Sequence, residues 1–206
     1  MATIVVLTAG CGDSGPGDAT STAAIMSNIN RPAPDTVEII DSLKDISASD
    51  PNLQSAPAFL DINRSSVSKE GNNIKFTMEL ASALPEGPQP GTAVEWGFLL
   101  DVDQDGTPDW GVFADLTAKD GWLPGIYNQK TKQRLAGPQY PGTFSHTGTT
   151  IILAVDSGSL GSPVSFKWFA YTDAAMTAGA NKTQKAGDKI WEPAAPDNSE
   201  NWLPFP

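Results

Sequence analysis

The stretch that decides the fold reads Ile74-Lys75-Phe76-Thr77-Met78-Glu79-Leu80, and apolar and polar residues alternate strictly along it. A period of two is typical of a β-strand that has one face in the core and the other in water. The preceding residues, Lys69-Glu70-Gly71-Asn72-Asn73, are typical of a turn. The pattern therefore predicts that residues 59–68 pair with this strand as a β-hairpin.

Strand-like segments recur along the rest of the chain. Further strands are expected at residues 93–101, 110–116, 151–155 and 164–172. The run 151–155 is apolar throughout, which is typical of a central strand buried on both faces. Only residues 37–43 suggest a short helix, and the part from residue 174 onward is expected to be loop-like. Together the segments predict an all-β fold, an antiparallel β-sandwich of jelly-roll or immunoglobulin-like layout with long loops.

The bulk composition limits both the size and the partners of this domain. The 206 residues suffice for one domain with a sizeable core, and we expect it at residues 36–206. The net charge of −11 disfavours nucleic acid as a partner, because an acidic protein repels the phosphate backbone. The same acidity suits a protein that collects divalent cations.

The N-terminus has the layout of an export signal. Residues 2–10 form a short apolar run that ends in small residues before Cys11, and the run is too short to span a bilayer. Residues 7–11, Leu-Thr-Ala-Gly-Cys, resemble the lipobox of bacterial lipoproteins, which implies cleavage before Cys11 and a lipid on its thiol. No basic residue precedes the apolar run, as one would in a signal peptide, so the true start of the protein is expected upstream of Met1. The alternative is that residues 1–11 form a buried edge strand and that Cys11 is an ordinary buried thiol.

Residues 12–35 are small, polar and rich in turn formers, as expected of a flexible tether between a membrane anchor and a domain. The lipobox resemblance implies an exported protein that is lipid-anchored at the cell envelope, and Gly12 after the cysteine implies the outer membrane or the cell surface. Residues 12–16 imitate the nucleophile loop of chymotrypsin-like proteases. The only histidine, His146, lies downstream of that serine, and a tether cannot build an oxyanion hole, so protease activity is not expected.

The clearest chemical signal is Asp101-Val102-Asp103-Gln104-Asp105-Gly106-Thr107-Pro108-Asp109. Carboxylates at alternate positions can curl round one hard cation, and Gly106 supplies the bend. The expected ligands are Asp101, Asp103, Asp105, the backbone carbonyl of Thr107, and Asp109. Calcium tolerates such an irregular cage of oxygens, whereas magnesium demands a tighter octahedron. Without a cation, charge repulsion predicts a strained or disordered loop. The alternative is a solvated acidic hairpin loop without a metal.

The first half of this loop resembles the calcium loop of EF-hands, dockerins and thrombospondin type 3 repeats. It departs at the twelfth position, where Val112 stands in place of a bidentate acidic residue, and its flanks are expected to be strands. The remaining calcium ligands are therefore expected from elsewhere, with Asp115 or Glu95 as candidates.

The domain as a whole resembles DOMON-like domains and the ninth family of carbohydrate-binding modules. The matching pieces are residues 59–62, 74–80, 96–101, 166–173 and 186–197, within a resemblance that covers about residues 40–200. Such domains often bind haem or sugar. Haem would need His146 and Met78 as axial ligands, but Met78 is better explained as a core residue. For sugar, Trp110 and Trp122 are the candidate exposed platform, whereas Trp96 and Trp168 are expected in the core, and Trp191 and Trp202 are expected to anchor the C-terminal segment.

These observations favour a non-catalytic, calcium-binding and membrane-anchored surface or periplasmic module in which calcium is structural. The alternative is a carbohydrate-binding module, with a polysaccharide or a surface protein as partner. A glycan-active hydrolase that uses two carboxylates is less favoured, because the sequence contains no constellation of nucleophile and base. His146 is expected at the surface in a turn.

Overall fold

The structure is a computed structural model that describes residues 5–8, 36–40, 57–88, 92–178, 182–184 and 202–206. Within these ranges the chain contains strands and short 3₁₀ turns but no α-helix. The strands are β1 Val5–Thr8, β2 Thr36–Ile40, β3 Ile62–Glu70, β4 Asn73–Leu80, β5 Thr92–Asp101, β6 Trp110–Thr117, β7 Gly121–Asn128, β8 Arg134–Ala136, β9 Gly142–Thr147, β10 Thr150–Asp156, β11 Phe166–Ala178, β12 Lys182–Gln184 and β13 Leu203–Phe205. The 3₁₀ turns are Ala58–Leu60, Gly137–Gln139 and Ser157–Leu160.

The strands form two sheets that pack face to face, which confirms the predicted β-sandwich. The first sheet has the order β1-β2-β3-β4-β10-β9, and the second has the order β12-β11-β5-β6-β7-β8, with β13 paired to β11. The pairs are antiparallel except for β1 and β2, which run parallel. The predicted hairpin is present as β3 and β4, joined by a turn at Gly71 and Asn72.

Alternate side chains of the central strands fill the space between the sheets. Along β4 every second residue is buried, as its alternating sequence predicts. In the second sheet Trp96, Phe98 and Leu100 of β5 are buried in the same way. The Phe76 and Phe98 rings meet across the interface with their centroids 5.1 Å apart, so aromatic contacts join the two sheets.

Three predicted elements need correction. The segment expected as a short helix begins with strand β2, because its β-branched residues suit a pleated strand that pairs with β3. Strand β10 is buried on one face only, since Ile152 and Ala154 lie on the outer face beside the edge strand β9. The C-terminal part is not simply a loop, because β11 continues to Ala178 and the chain returns as β12 and β13.

The predicted anchoring role of Trp202 is confirmed. Its side chain is buried, and its ring meets the Phe169 ring edge-on with a centroid distance of 4.6 Å. Trp191 lies outside the described residues.

The N-terminal predictions are only partly within the described residues. Strand β1 pairs with β2 at the edge of the first sheet, as in the edge-strand interpretation of this segment. Cys11 and the tether at residues 12–35 lie outside the described residues, so the export signal and the lipid stay predictions. Among the described residues, no helix has the length and apolar character needed to cross a membrane.

Candidate metal centre

The aspartate loop connects β5 to β6 at one end of the second sheet. It begins at Asp101, the last residue of β5, and ends at Asp109, directly before β6. The Asp109 amide donates a hydrogen bond to the Leu100 carbonyl (2.8 Å), and the Gln129 amide donates one to the Asp109 carbonyl (2.7 Å). Both ends of the loop are therefore fixed by the neighbouring strands.

The loop curls because its own backbone amides turn toward the first aspartate. The Asp101 carboxylate accepts hydrogen bonds from the amides of Asp105 (3.0 Å) and Gly106 (2.9 Å). The predicted bend at Gly106 is confirmed, since its φ of 89° lies in the left-handed region that favours glycine. Gln104 also adopts a left-handed conformation, with φ 62°, which is uncommon for a residue with a side chain.

Three of the predicted ligands converge. Asp101, Asp103 and Asp109 each offer a carboxylate oxygen, and these oxygens all lie within 4.8 Å of one another. Asp101 and Asp109 are buried, whereas Asp103 is exposed at the mouth of the cluster. Asp109 Oδ2 accepts hydrogen bonds from the amides of Val102 (2.7 Å) and Asp103 (3.2 Å), which leaves Oδ1 to face a positive charge.

Burial disfavours the charged form of Asp101, the most deeply buried carboxylate of the cluster. Removal from water raises the pKa of Asp101, and the hydrogen bonds from Gly106 and Asp105 only partly oppose this. A cation beside Asp101 would favour its charged form, and this three-carboxylate, all-oxygen cluster could hold a metal ion.

A lysine from a different turn supplies positive charge to the same cluster. The Lys130 ammonium, between β7 and β8, lies 2.7 Å from Asp103 Oδ2 and 2.6 Å from Asp109 Oδ1. The hydrogen bond from Lys130 lowers the pKa of Asp103, and the two aspartates raise the pKa of Lys130. The lysine and the backbone amides therefore offset part of the negative charge of the cluster, and the strain or disorder expected of the loop without a cation stays a prediction.

Two predicted loop ligands have other contacts. The exposed Asp105 accepts a hydrogen bond from the Thr107 amide (2.8 Å) through its Oδ1, the geometry of an Asx turn. Asp105 does not belong to the cluster of converging carboxylates. Thr107 takes part in the turn through its amide, and the predicted role of its carbonyl as a ligand stays a prediction.

The additional ligands proposed from sequence lie too far away. Glu95 and Asp115 face each other across β5 and β6, near the opposite ends of these strands from the loop. Each is six positions along its strand from a loop aspartate, and a rise of roughly 3.3 Å per residue puts that at about 20 Å. Neither side chain can complete this cluster. Val112 is fully buried in the core, as expected of a strand that flanks the loop.

The aromatic candidates are less exposed than predicted. Trp110 and Trp122 are half-buried and pack against the core, so neither presents a free flat platform. The Trp122 ring lies between Trp96, at 5.2 Å, and His146, at 4.3 Å, measured between ring centroids. His146 is exposed, as predicted, but it lies in strand β9 and not in a turn.

Met78 is fully buried in the core, as expected.

Comparisons of the chain with protein-family models, with curated proteins and with solved structures give no match.

Proposed function

We propose that this chain is a non-catalytic, calcium-binding module held at the cell envelope, in which calcium has a structural role. The observation that carries the proposal is the convergence of Asp101, Asp103 and Asp109 at the end of β5. Two of these carboxylates are buried at fixed positions, and the third is exposed and can close over an ion.

The arrangement favours calcium over magnesium for a geometric reason. The converging oxygens come from side chains of unequal burial on an irregular loop, and water would complete the shell at the open side near Asp103. Calcium accepts six to eight oxygens in such a shell, whereas magnesium requires a near-ideal octahedron.

The contacts of the loop support a structural role. The loop reaches the turn after β7 through Gln129 and Lys130, and Gln104 donates a hydrogen bond to the Ser165 hydroxyl (3.0 Å) just before β11. A cation in the cluster would fix the β5–β6 loop, and these contacts would extend that order to the turn after β7 and to the segment before β11. The envelope location rests on the lipobox-like residues 7–11 and on the lipid that this resemblance implies at Cys11.

Thermal unfolding of the full chain in EDTA and in calcium tests the proposal. A ligand that binds only the native state adds about 2.7 kcal/mol at a concentration 100 times its Kd, so the midpoint should rise by several degrees. Asp103→Ala should abolish the rise, because Asp103 belongs to the cluster. Asp120→Ala, an exposed aspartate in the turn between β6 and β7, should leave it intact. An equal response to calcium in both variants would place the binding elsewhere, and no response in the unmodified protein would disprove the proposal.

A further inference from the structure

A lysine ammonium lies at the point of the aspartate cluster where a metal ion would bind. Lys130 Nζ is 2.7 Å from Asp103 Oδ2 and 2.6 Å from Asp109 Oδ1, so it contacts two of the three converging carboxylates. Calcium binds carboxylate oxygens at roughly 2.3–2.6 Å. An ion bonded to the same two oxygens would therefore lie against the ammonium, and the two positive charges would repel each other at close range.

Calcium can offer the cluster more than the lysine does. The ammonium balances the charge of one of the three carboxylates, whereas a calcium ion balances two. Asp101, the third carboxylate, is buried and accepts hydrogen bonds from the amides of Asp105 and Gly106. A calcium ion takes six to eight oxygen ligands and can bond to all three aspartates at once. Calcium should therefore replace the ammonium once its concentration is high enough.

The lysine can leave the cluster without unfolding its own turn. The Lys130 side chain is 63% exposed and reaches the cluster from outside. The turn is held by Asn128, whose Oδ1 accepts hydrogen bonds from the amides of Lys130 (2.9 Å) and Thr131 (2.8 Å). The Asn128 amide in turn donates a hydrogen bond to the Gln133 carbonyl (2.8 Å). Rotation of the lysine side chain alone would clear the cluster, and the loss of exposed ion pairs costs little stability.

We propose that Lys130 is an internal cation that calcium displaces, so that the cluster alternates between a lysine-bound and a calcium-bound state. The proposal rests on the calcium site proposed above and adds its regulation. In the lysine-bound state the ammonium relieves part of the repulsion among the carboxylates. The apparent affinity for calcium is reduced to the extent that the lysine occupies the cluster. The lysine therefore sets the calcium concentration at which the site fills, and filling frees a positive charge at the surface.

NMR of the full chain, labelled with ¹³C at its lysines, measures the exchange directly. The Cε signal of Lys130 is identified by its absence from the Lys130→Met variant. During a calcium titration we expect this signal to move toward the position of the signal of the exposed Lys119. The midpoint of this movement should match the midpoint of calcium binding in calorimetry. The Lys119 signal itself should not move.

Three variants distinguish competition for the carboxylates from a general effect of charge. Lys130→Met should bind calcium about fivefold more tightly, because no ammonium has to leave. Lys132→Met removes an equal charge from an exposed position in the same turn and should change the affinity less than about twofold. Lys130→Arg keeps a cation that can pair with both carboxylates, so it should bind calcium no more tightly than the unmodified protein does.

The outcomes separate the exchange from the calcium site itself. The exchange is overturned if the Lys130 signal stays fixed while calcium binds, or if Lys130→Met and Lys132→Met bind calcium equally tightly. It is also overturned if calcium binds to Lys130→Met alone, since the lysine then excludes the ion. No calcium binding by any of these proteins would refute the calcium site, and the exchange with it.

Discussion

Replacing Glu95 by Gln should stabilise the protein at pH 8 relative to the unmodified chain, and this gain should vanish toward pH 4. Burial raises the pKa of the Glu95 carboxyl from its ordinary value of 4.5 to about 7. The groups that face it are Asp115 on β6, Tyr171 and Asp173 on β11, and Arg134 on β8. The Tyr171 hydrogen bond opposes the shift and Asp115 adds to it, so loss of water around the carboxyl is the dominant cause.

The sign and the magnitude of this change in stability follow from proton linkage. The native state binds the Glu95 proton more tightly than the unfolded state, so the free energy of unfolding falls as the pH rises from 4.5 to 7. A difference of about 2.5 pKa units at 1.36 kcal/mol per unit amounts to about 3 kcal/mol. Gln cannot ionise, and it keeps an oxygen that accepts the Tyr171 hydrogen bond. The free energy of unfolding of the Gln variant therefore does not fall in this way as the pH rises.

Urea unfolding of both proteins between pH 4 and pH 8, in EDTA, measures the difference. We expect the free energy of unfolding of Glu95→Gln, minus that of the unmodified protein, to rise by about 3 kcal/mol across this range. Glu86→Gln, at an exposed glutamate between β4 and β5, controls for the loss of one negative charge. A difference that stays constant with pH, or that favours the unmodified protein at pH 8, would refute the reasoning. It would mean that the native Glu95 carboxyl is charged and paired.

Two further predictions follow from contacts of single residues. Lys130→Met should tighten calcium binding roughly fivefold in calorimetry, because the ammonium no longer competes with the ion for two carboxylates; weaker binding would contradict this. Gly97→Ala should lower the free energy of unfolding by about 2 kcal/mol in urea, since the new Cβ displaces the Tyr171 ring. Gly111→Ala, whose Cβ would meet Leu99 at an ordinary 3.5 Å, is the matched control, and equal losses in both would contradict the argument.

The parts of the fold that were predictable are those in which local pattern and burial agree. Strand β4 alternates strictly, and Trp96, Phe98 and Leu100 of β5 lie at alternate positions, because one face of each strand fills the core. Strand β7 was missed, since Pro124 and Gly125 interrupt any strand pattern. Gly125 is explained only by the Phe113 ring that lies on it from the neighbouring strand. Strand β9 was missed because it is a mostly exposed edge strand, and its sequence therefore shows no alternation of apolar and polar residues.

The residues of the candidate metal site were likewise predictable from the sequence only in part. Close spacing along the chain identified Asp101, Asp103 and Asp109, because a short loop must bring its own residues together. Lys130 could not be identified, since 27 positions separate it from Asp103 and only the pairing of β6 with β7 brings it near. Spacing also assigned Asp105 to the site, but spacing could not show that this carboxylate accepts an Asx-turn hydrogen bond and lies outside the converging cluster.

Three glycines shape the outer face of the second sheet. Glycine weakens a strand because it loses more backbone freedom on folding and offers no side chain to pack. A face that met only water would gain stability from β-branched residues at Gly97, Gly111 and Gly125, yet three neighbouring strands carry glycine there. Gly97 and Gly125 instead make room for the rings of Tyr171 and Phe113, which lie over them. Gly97 and Gly125 are therefore explained by ring packing between neighbouring strands, which the pattern along a single strand cannot reveal.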